Sequence, residues 1–297
     1  MIVTEIYNGQ GLGNQLACYV TTRVLALDKG FDFGIMNPQK FKCLDFMDLD
    51  FGKEVIGGSG PEGGPPTSLP NGIYNYFRER WNILPNGSNV TIDDPKLFAI
   101  MDNTKIDGIL QSENQIIHRK REIREWLRIK DGMDCFEYSD PNTCIINYRG
   151  GEYASVADFH LKSEYWEYAI SKMTEINPGL RFVVITDDVE RATHQFPNFE
   201  VKHFNIGKDF TIIKNAYYLI LSNSSFPYFA TLLGDNIRYI IAPKYWGRYN
   251  ISDGYWACGY NIFRNHNYID RAGNIFTYEQ CIDEFEEYKK KDVDFWV

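Results

Sequence analysis

The fold of this chain is decided by residues 143–151, which read Thr143-Cys144-Ile145-Ile146-Asn147-Tyr148-Arg149-Gly150-Gly151. The first six residues form a near-continuous apolar run, which is typical of a strand buried on both faces of a parallel sheet. An arginine and two glycines follow the run. Because ligands of open parallel sheets bind beyond the carboxyl ends of the strands, Arg149 stands at a predicted binding edge.

The chain downstream of this strand alternates between strand and helix patterns. Strands are predicted at Arg181–Ile185, Val201–Phe204 and Tyr239–Pro243, and helices at Ser163–Asn177, from Asp188, at 209–220, at Phe226–Leu233 and at 278–290. The apolar residues Leu219–Leu221 lead into the polar cluster Ser222–Ser225. Alternation of this kind predicts a doubly wound parallel sheet.

The N-terminal half carries one strong unit of the same kind. Apolar residues in Ile2–Ile6 predict a strand, the glycine-rich turn Gly9–Gln15 follows, and helical periodicity begins at Leu16. The remainder is less regular. A helix is predicted over 113–130, and the glycine- and proline-rich residues 57–71 predict a loop or lid.

We therefore predict an α/β fold with two Rossmann-like lobes and a cleft between them, the N-terminal lobe being the less regular. Residues 1–135 form the N-terminal lobe and residues 136–297 the C-terminal lobe. The length of 297 residues suits two domains of ordinary size.

Composition and charge exclude several functional classes. The net charge of −9 is a poor match for a duplex nucleic-acid binder, which needs a basic face. No apolar run approaches the roughly 20 residues that span a bilayer, and the first residues lack the basic segment of a signal peptide. Six single cysteines and five histidines show no metal-ligand spacing. A cytoplasmic protein without nucleic-acid, membrane or metal partners is predicted, and the oligomeric state stays open.

Four polar clusters follow predicted strands, at Gly11–Gln15, Asn147–Tyr153, Thr186–Asp188 and Ser222–Ser225. Strand ends of a parallel sheet meet at one edge, so their convergence is more informative than any single cluster. The glycine-rich turn either has only a structural role or lets an anion approach the backbone closely at the start of a helix. It is not the dinucleotide fingerprint, because Asn14 and Leu16 stand where that motif needs glycine.

The charged and hydroxyl residues of the other clusters each admit two interpretations. Arg149 is either a surface ion pair or a ligand for phosphate oxygens, which its planar guanidinium suits. Glu152 is a base or a solvated carboxylate. Ser222–Ser225 is a helix N-cap, a phosphate cradle, or both. Of Asp187 and Asp188, one caps the next helix while the other is free to accept hydrogen bonds from a base or ribose.

Five short segments occur in a fixed order along the chain: Gly11–Leu16 (GLGNQL), Asp107–Glu113 (DGILQSE), Phe182–Asp188 (FVVITDD), Ser222–Phe226 with Ala230 (SNSSF-x-x-x-A), and Pro243 with Trp246 (P-x-x-W). Each is similar to a motif of the inverting α1,2-fucosyltransferases, glycosyltransferase family 11. They also resemble the wider superfamily of α1,6 and protein O-fucosyltransferases. The segments span most of the chain.

One segment departs from the family pattern H-x-R-R-G-D-Y. Residues 147–153 read Asn147-Tyr148-Arg149-Gly150-Gly151-Glu152-Tyr153. The first arginine of the motif, which relatives use on the nucleotide pyrophosphate, is retained as Arg149. The histidine, the second arginine and the aspartate are replaced by Asn147, Gly150 and Glu152.

The resemblance implies a GT-B glycosyltransferase that moves fucose from GDP-fucose to a sugar hydroxyl of a glycan acceptor, with inversion, in α1,2 linkage and without a metal. The donor would lie mainly on the C-terminal lobe. The implied donor-binding residues are Gly11, Gly13, Asn14, Gln15, Asn147, Arg149, Asp187, Asp188, Asn223, Ser224, Ser225 and Phe226.

The implied catalytic residues are Arg149 and Glu152. Arg149 would neutralise the charge that builds on the departing GDP. Glu152 would take the proton of the attacking hydroxyl. Another nucleotide-sugar donor, or a relative that binds glycan or nucleotide without turnover, remains an alternative.

The acceptor is expected on the N-terminal lobe. Four aromatic residues there form either a sugar-stacking wall or part of the core, since aromatic side chains dominate cores. They are Tyr74, Tyr76, Phe77 and Trp81.

Overall fold

The computed structural model describes residues 1–59, 68–83, 89–91, 94–251, 256 and 261–291. The chain divides into two units. The first comprises Met1–Asn82 and Thr91–Lys130, and the second comprises Asp131–Val297 with Ile83–Val90. Among the described residues, no helix has both the length and the apolar character needed to cross a bilayer.

The first 130 residues contain short strands and one long helix. The strands are β1 (Ile2–Glu5), β2 (Phe33–Met36), β3 (Gly57–Ser59), β4 (Ser68–Pro70), β5 (Asn75–Arg78), β6 (Trp81–Ile83), β7 (Asn89–Thr91) and β8 (Thr104–Asp107). The helices are α1 (Leu12–Lys29), α2 (Glu113–Ile116) and α3 (Lys120–Trp126), with 3-10 turns at Pro38–Lys40, Pro95–Ala99 and Ile117–Arg119.

The central sheet of the first unit is parallel, in the order β2-β1-β8-β5. Helix α1 follows β1 and buries Leu16, Val20 and Val24, which repeat at helical spacing. The helix ends at Gly30, whose left-handed conformation (φ 68°) lets its N–H bond to the last-turn carbonyls. This unit is the strand–turn–helix arrangement that the N-terminal sequence predicts.

The second unit contains the longer sheet. Its strands are β9 (Thr143–Tyr148), β10 (Arg181–Thr186), β11 (Glu200–Lys202), β12 (Tyr218–Leu221), β13 (Tyr239–Pro243), β14 (Asn267–Ile269) and β15 (Ile275–Phe276). Its helices are α4 (Ser163–Ile176), α5 (Val189–Gln195), α6 (Ile206–Lys214), α7 (Ser225–Leu233) and α8 (Tyr278–Lys291), with 3-10 turns at Gly151–Ser155 and Trp246–Arg248.

The order of this sheet is β11-β10-β9-β12-β13-β14-β15. All neighbours are parallel except β14 and β15. The chain therefore starts in the middle at β9, proceeds outward through β10 and β11, and returns to the other side of β9 at β12. The predicted α/β class with two Rossmann-like units, the N-terminal one less regular, is confirmed.

The core of the second unit lies between β9 and helix α4. Strand β9 is buried along its whole length, which explains its unbroken apolar sequence. Tyr165, Trp166 and Met173 of α4 pack in the same cluster as Cys144 and Ile146. Burial of a large side chain of this kind contributes roughly 1.5–3 kcal/mol.

Two predicted helices are wrong in extent. The single helix expected over 113–130 is interrupted by the 3-10 turn at Ile117–Arg119. The helix expected over 209–220 runs instead over Ile206–Lys214 and is followed by β12. The segment 57–71, expected to be a loop or lid, contains strands β3 and β4, which form an antiparallel pair. Residues 60–67, the middle of the expected lid, lie outside the described residues.

A buried histidine makes the stability of the second unit sensitive to acid. His266 is 4% exposed, and burial lowers the pKa of its imidazole to about 3. The unfolded chain takes up a proton on this group near pH 6.5, so between about pH 6.5 and 3 it binds more protons than the folded chain. Stability therefore falls as the pH drops through this window, by at most about 1.4 kcal/mol per pH unit from this group.

We expect His266→Phe to remove this part of the acid sensitivity. The free energy of unfolding, measured with urea at several pH values between 7 and 4, should fall less steeply for the variant than for the unmodified protein. His194→Phe, at an exposed position, controls for the loss of a histidine. Parallel curves for the unmodified protein and His266→Phe would contradict the prediction.

Candidate functional site

The second unit has a topological switch point between β9 and β12. From β9 the chain passes to β10 on one side, and it resumes at β12 on the other. The register pairs Leu221 with Asn147 and Thr186 with Tyr148, so the three strands end level with one another. Neighbouring strands are about 4.8 Å apart. The residues that follow β9, β10 and β12 therefore lie together where ligands of such sheets bind.

The guanidinium of Arg149 is held between two carboxylates. Its Nη2 donates to Glu152 Oε1 at 3.2 Å, and its Nη1 forms an ion pair with Asp187 Oδ2. The ring of Tyr153 lies 5.3 Å from the guanidinium carbon. The arginine side chain is nevertheless 32% exposed. The structure thus presents a fixed cation that a ligand can reach.

Asp187 also fixes the backbone after β9. Its Oδ1 accepts a hydrogen bond from the Gly150 N–H at 3.0 Å. A Cβ on Gly150 would lie 2.5 Å from Asp188 Cβ, and a Cβ on Gly151 would lie 2.7 Å from Asp187 Oδ2. The glycines are needed because the two aspartates approach this closely.

Asp188 caps helix α5. Its Oδ1 accepts from the Arg191 N–H at 3.1 Å, and its Oδ2 lies 3.2 Å from Arg191 Nε. Asp188 is thus the predicted helix cap of the aspartate pair. The other member, Asp187, binds Arg149 and Gly150 in this structure, and its predicted contact with a base or ribose stays a prediction.

The turn after β12 combines a helix cap with a buried amide. Ser224 caps α7 by accepting the Phe226 N–H at 3.3 Å, while the ring of Phe226 packs edge-on against Phe210. Asn223 is 1% exposed and its Nδ2 donates to the Phe159 carbonyl at 3.1 Å. Its Oδ1 accepts no hydrogen bond from any described residue. Ser225 opens α7 and is half-buried.

Asn147 links two of these strand ends. Its side chain is buried, its Nδ2 lies 3.5 Å from the Ile185 carbonyl, and its Oδ1 lies 3.5 Å from Ser222 Oγ. These long contacts position Asn147 beneath the polar edge of β9, β10 and β12. Its direct contact with a donor stays a prediction.

The predicted residues of the glycine-rich turn lie in the first unit. Gly11 precedes helix α1 in an extended conformation, and no atom lies within 4 Å of the Cβ position it would have. Gly13 is buried in the first turn of α1. Gln15 is 1% exposed, and its amide bonds to the backbone of Lys40 and Lys42 at 3.0 and 2.9 Å. The contacts of Gln15 are therefore structural.

A cavity of about 620 Å³ opens at the carboxyl ends of β1, β8 and β5 in the first unit. It is lined by Tyr7, Asn8, Gly9, Gln10, Asn14, Arg78, Glu79, Trp81, Thr91, Asp107, Gly108 and Ile109. Asn14 is also fixed by Gln111, whose Nε2 donates to Asn14 Oδ1 at 2.6 Å. This volume lies in the range of about 300–1,000 Å³ that is usual for small-molecule sites.

The four aromatic residues, for which a sugar-stacking wall and the core were the two interpretations, do not share one surface. Phe77 packs against the core of the first unit, and the Tyr76 hydroxyl bonds to Asp107 at 2.8 Å. Successive strand residues point to opposite faces, so these neighbours cannot share a surface. Tyr74 precedes β5 at its amino end. Of the four, Trp81 alone lines the cavity.

Sequence analysis missed a buried ionic group beneath this cavity. Asp107 ends β8 and is contacted by Tyr7, by Tyr76 and by Lys105. Lys105 also pairs with Glu5 at 2.7 Å. The available signal was the position of Asp107 at the end of a short strand beside a glycine.

The comparisons with known proteins add distant structural likenesses. No protein-family model and no curated protein matches the sequence. The NodZ α-1,6-fucosyltransferase of Bradyrhizobium, soaked with GDP-fucose, is 14% identical over 82% of this chain and 94% of that chain, with a TM-score of 0.46. FUT1 of Arabidopsis thaliana, in complex with GDP, is 11% identical over 81% and 69%, with a TM-score of 0.43.

A family 9 glycosyl transferase of Veillonella parvula is 13% identical over 98% of this chain and 97% of that chain, with a TM-score of 0.42. Likenesses at these identities and TM-scores do not establish the chemistry of this chain, which depends on its own residues.

We expect Gly150→Ala to destabilise the second unit, because the added methyl group would overlap the Asp188 side chain. Overpacking of this kind costs about 1–3 kcal/mol. Gly179→Ala is the matched control, because the nearest atom to its added Cβ is Asn177 Oδ1 at 3.5 Å. Urea unfolding of both variants measures the difference, and equal stabilities would disprove the close approach.

Proposed function

We propose that this protein is an inverting, metal-independent fucosyltransferase that moves fucose from GDP-fucose to a hydroxyl of a glycan acceptor, in α1,2 linkage. The observation that carries the proposal is a partly exposed guanidinium, Arg149, directly after β9 at the switch point of the second sheet, where the neighbouring strand β12 leads into the serine-capped helix α7. One of the five ordered segments that resemble fucosyltransferase motifs contains Ser224, and Arg149 is the arginine retained in the segment that departs from the family pattern.

In this proposal, the diphosphate of the donor binds at the carboxyl ends of β9, β10 and β12. The first turn of α7 presents backbone N–H groups and the positive end of the helix dipole, which favours an anion by about 0.3–1 kcal/mol. Pro227 supplies no N–H, and the Phe226 N–H bonds to the Ser224 oxygen at 3.3 Å, so we assign the phosphate contact at this turn to the Ser224 hydroxyl group. A guanidinium adds charge-assisted, directional hydrogen bonds to phosphate oxygens.

Donor binding requires an exchange of carboxylate for phosphate on Arg149. Glu152 is 77% exposed, whereas Asp187 is 27% exposed and holds the Gly150 N–H as well. Exposed ion pairs contribute only about 0–1 kcal/mol, so Glu152 is released at little cost. Asp187 stays and keeps the guanidinium in position.

The released Glu152 is then the proposed general base. The acceptor hydroxyl attacks the anomeric carbon of fucose and gives its proton to the Glu152 carboxylate. The bond from that carbon to the phosphate oxygen breaks, and its electron pair leaves with GDP. Arg149 stabilises the charge on the departing diphosphate, where pre-positioned electrostatics contribute most to the rate.

Ligand binding tests the donor site. Thermal-shift titrations should show stabilisation by GDP and GDP-fucose but not by UDP-sugars, with about 2.7 kcal/mol at a concentration of 100 Kd. Arg149→Ala should weaken GDP binding about 10- to 100-fold, the value of hydrogen bonds to a charged group. Arg181→Ala, which removes an exposed arginine at the amino end of β10, should bind GDP normally.

If a UDP-sugar or GDP-mannose stabilised the protein and GDP-fucose did not, the proposed donor would be wrong, and the same fold would use another nucleotide sugar. An unchanged GDP affinity of Arg149→Ala would overturn the donor site itself.

The two roles of Glu152 predict opposite effects of Glu152→Gln. Removing the competing negative charge should tighten GDP binding by up to about fivefold. Loss of the base should lower the turnover of GDP-fucose about 10²- to 10⁴-fold. Turnover should be unchanged by EDTA. If Glu152→Gln binds GDP more tightly and turns over normally, leaving-group stabilisation by Arg149 is the whole mechanism and Glu152 is only its counter-ion.

A further inference from the structure

The cavity of the first unit lies at that unit's own topological switch point. Strand β1 has β2 on one side and β8 on the other, and the chain visits β2 first. Tyr7 follows β1, Asp107 ends β8, and Arg78 ends β5. All three line the cavity. Its lining is therefore built on rigid strand ends, as in binding sites of parallel sheets.

Asp107 is the central polar group of this cavity. Its Oδ1 accepts from the Tyr7 hydroxyl at 3.0 Å, and its Oδ2 accepts from the Tyr76 hydroxyl at 2.8 Å and lies 3.5 Å from Lys105 Nζ. A carboxylate offers about four lone-pair positions. Three are occupied within the protein, so one position on Oδ1 is left to accept a hydrogen bond from a ligand.

The two neighbouring phenol groups use their protons within the protein. Burial and the charge of Asp107 raise the pKa of both Tyr7 and Tyr76. Both phenols therefore keep their single proton and use it on Asp107. Tyr7, which lines the cavity, also accepts a hydrogen bond from Lys105 Nζ at 3.3 Å, so its hydroxyl has no proton and at most one oxygen lone pair for a ligand.

The charge of this group discriminates against anions. Lys105, 2% exposed, is balanced by Glu5 at 2.7 Å and by Asp107, and the lining adds Glu79 and Arg78. Three carboxylates and two cations sum to one negative charge. The ligand that fits such a surface is uncharged and rich in hydroxyl donors.

Trp81 supplies an apolar face at the same opening. It lines the cavity and is 61% exposed. A large indole left open beside carboxylate and amide groups suits a ligand with one apolar face and hydroxyls at its rim. The pyranose ring of a sugar has this construction, because its axial C–H bonds form one face and its equatorial hydroxyls project sideways.

We propose that the first-unit cavity binds the pyranose ring of an uncharged glycan, with Trp81 against its C–H face and Asp107 accepting one of its hydroxyls. Asn8 and Gln10 also line the cavity, where an amide N–H can donate to a further hydroxyl of the ring. That this sugar is the acceptor substrate rests on the proposed function; that the cavity binds sugar does not.

The test uses saturation-transfer NMR on the full chain without a nucleotide. The uncharged probes are lactose, cellobiose and mannobiose, and the anionic probe of matched size is digalacturonic acid. At least one uncharged probe should show saturation transfer at millimolar concentration, and digalacturonic acid should bind at least tenfold more weakly. No transfer to any uncharged probe, or equal binding of the anionic probe, would overturn the proposal.

Three variants assign the contacts. Trp81→Ala should weaken binding of the positive probe at least tenfold, while Phe98→Ala, an exposed aromatic residue of the same unit outside the cavity, should not. Asp107→Asn should also weaken it and reduce the discrimination against digalacturonic acid. If Trp81→Ala keeps its circular dichroism spectrum and binds as tightly as the unmodified protein, the assignment fails.

The same preparations titrated with GDP separate this inference from the proposed function. Sugar binding without a GDP response would support the sugar site in the cavity and contradict the proposed transferase function. A GDP response without sugar binding would reject the cavity and leave the donor site.

Discussion

The ion pair between Arg149 and Asp187 is the interaction on which the polar edge of the second sheet depends. It joins the residue after β9 to the residue after β10, and the same carboxylate binds the Gly150 N–H. The close approach of the two loops forces glycine at 150 and 151. The cation is thereby fixed at the switch point while a third of its side chain stays exposed, which is the condition for binding an anion without first ordering a flexible arginine.

The two units use one topology to present opposite charges. In each, the first strand has the second on one side and a later strand on the other, so polar residues gather at strand ends. The second unit places an exposed guanidinium there, whereas the first buries its lysine and presents the Asp107 carboxylate. A phosphate group and a sugar hydroxyl have the complementary requirements. The donor and acceptor roles proposed for the two units therefore rest on which member of an ion pair lines the site, Arg149 in the second unit and Asp107 in the first.

The sequence predicted strands best where burial on both faces leaves an unbroken apolar run. The bounds of β9 and β13 were predicted to the residue for this reason. Helix extent was harder, because Ile212, Ile213 and Leu219 read as one apolar stripe although the chain leaves the helix at Asn215. The position of Asp107 beside a glycine was visible in the sequence, but its partners were not, since Tyr7 and Tyr76 reach it from 100 and 31 residues away. Contacts of that separation depend on the tertiary fold.

The different exposure of the two carboxylates on Arg149 explains how one arginine can serve both folding and chemistry. If both were buried, removing either would leave a charge uncompensated, and the cation could not change partners. If both were exposed, the guanidinium would sample many positions. Here the anchored Asp187 also holds the backbone, while Glu152 contributes one exposed contact at 3.2 Å. In the proposed mechanism, an entering diphosphate replaces the second carboxylate without disturbing the first, and the carboxylate set free is the proposed base.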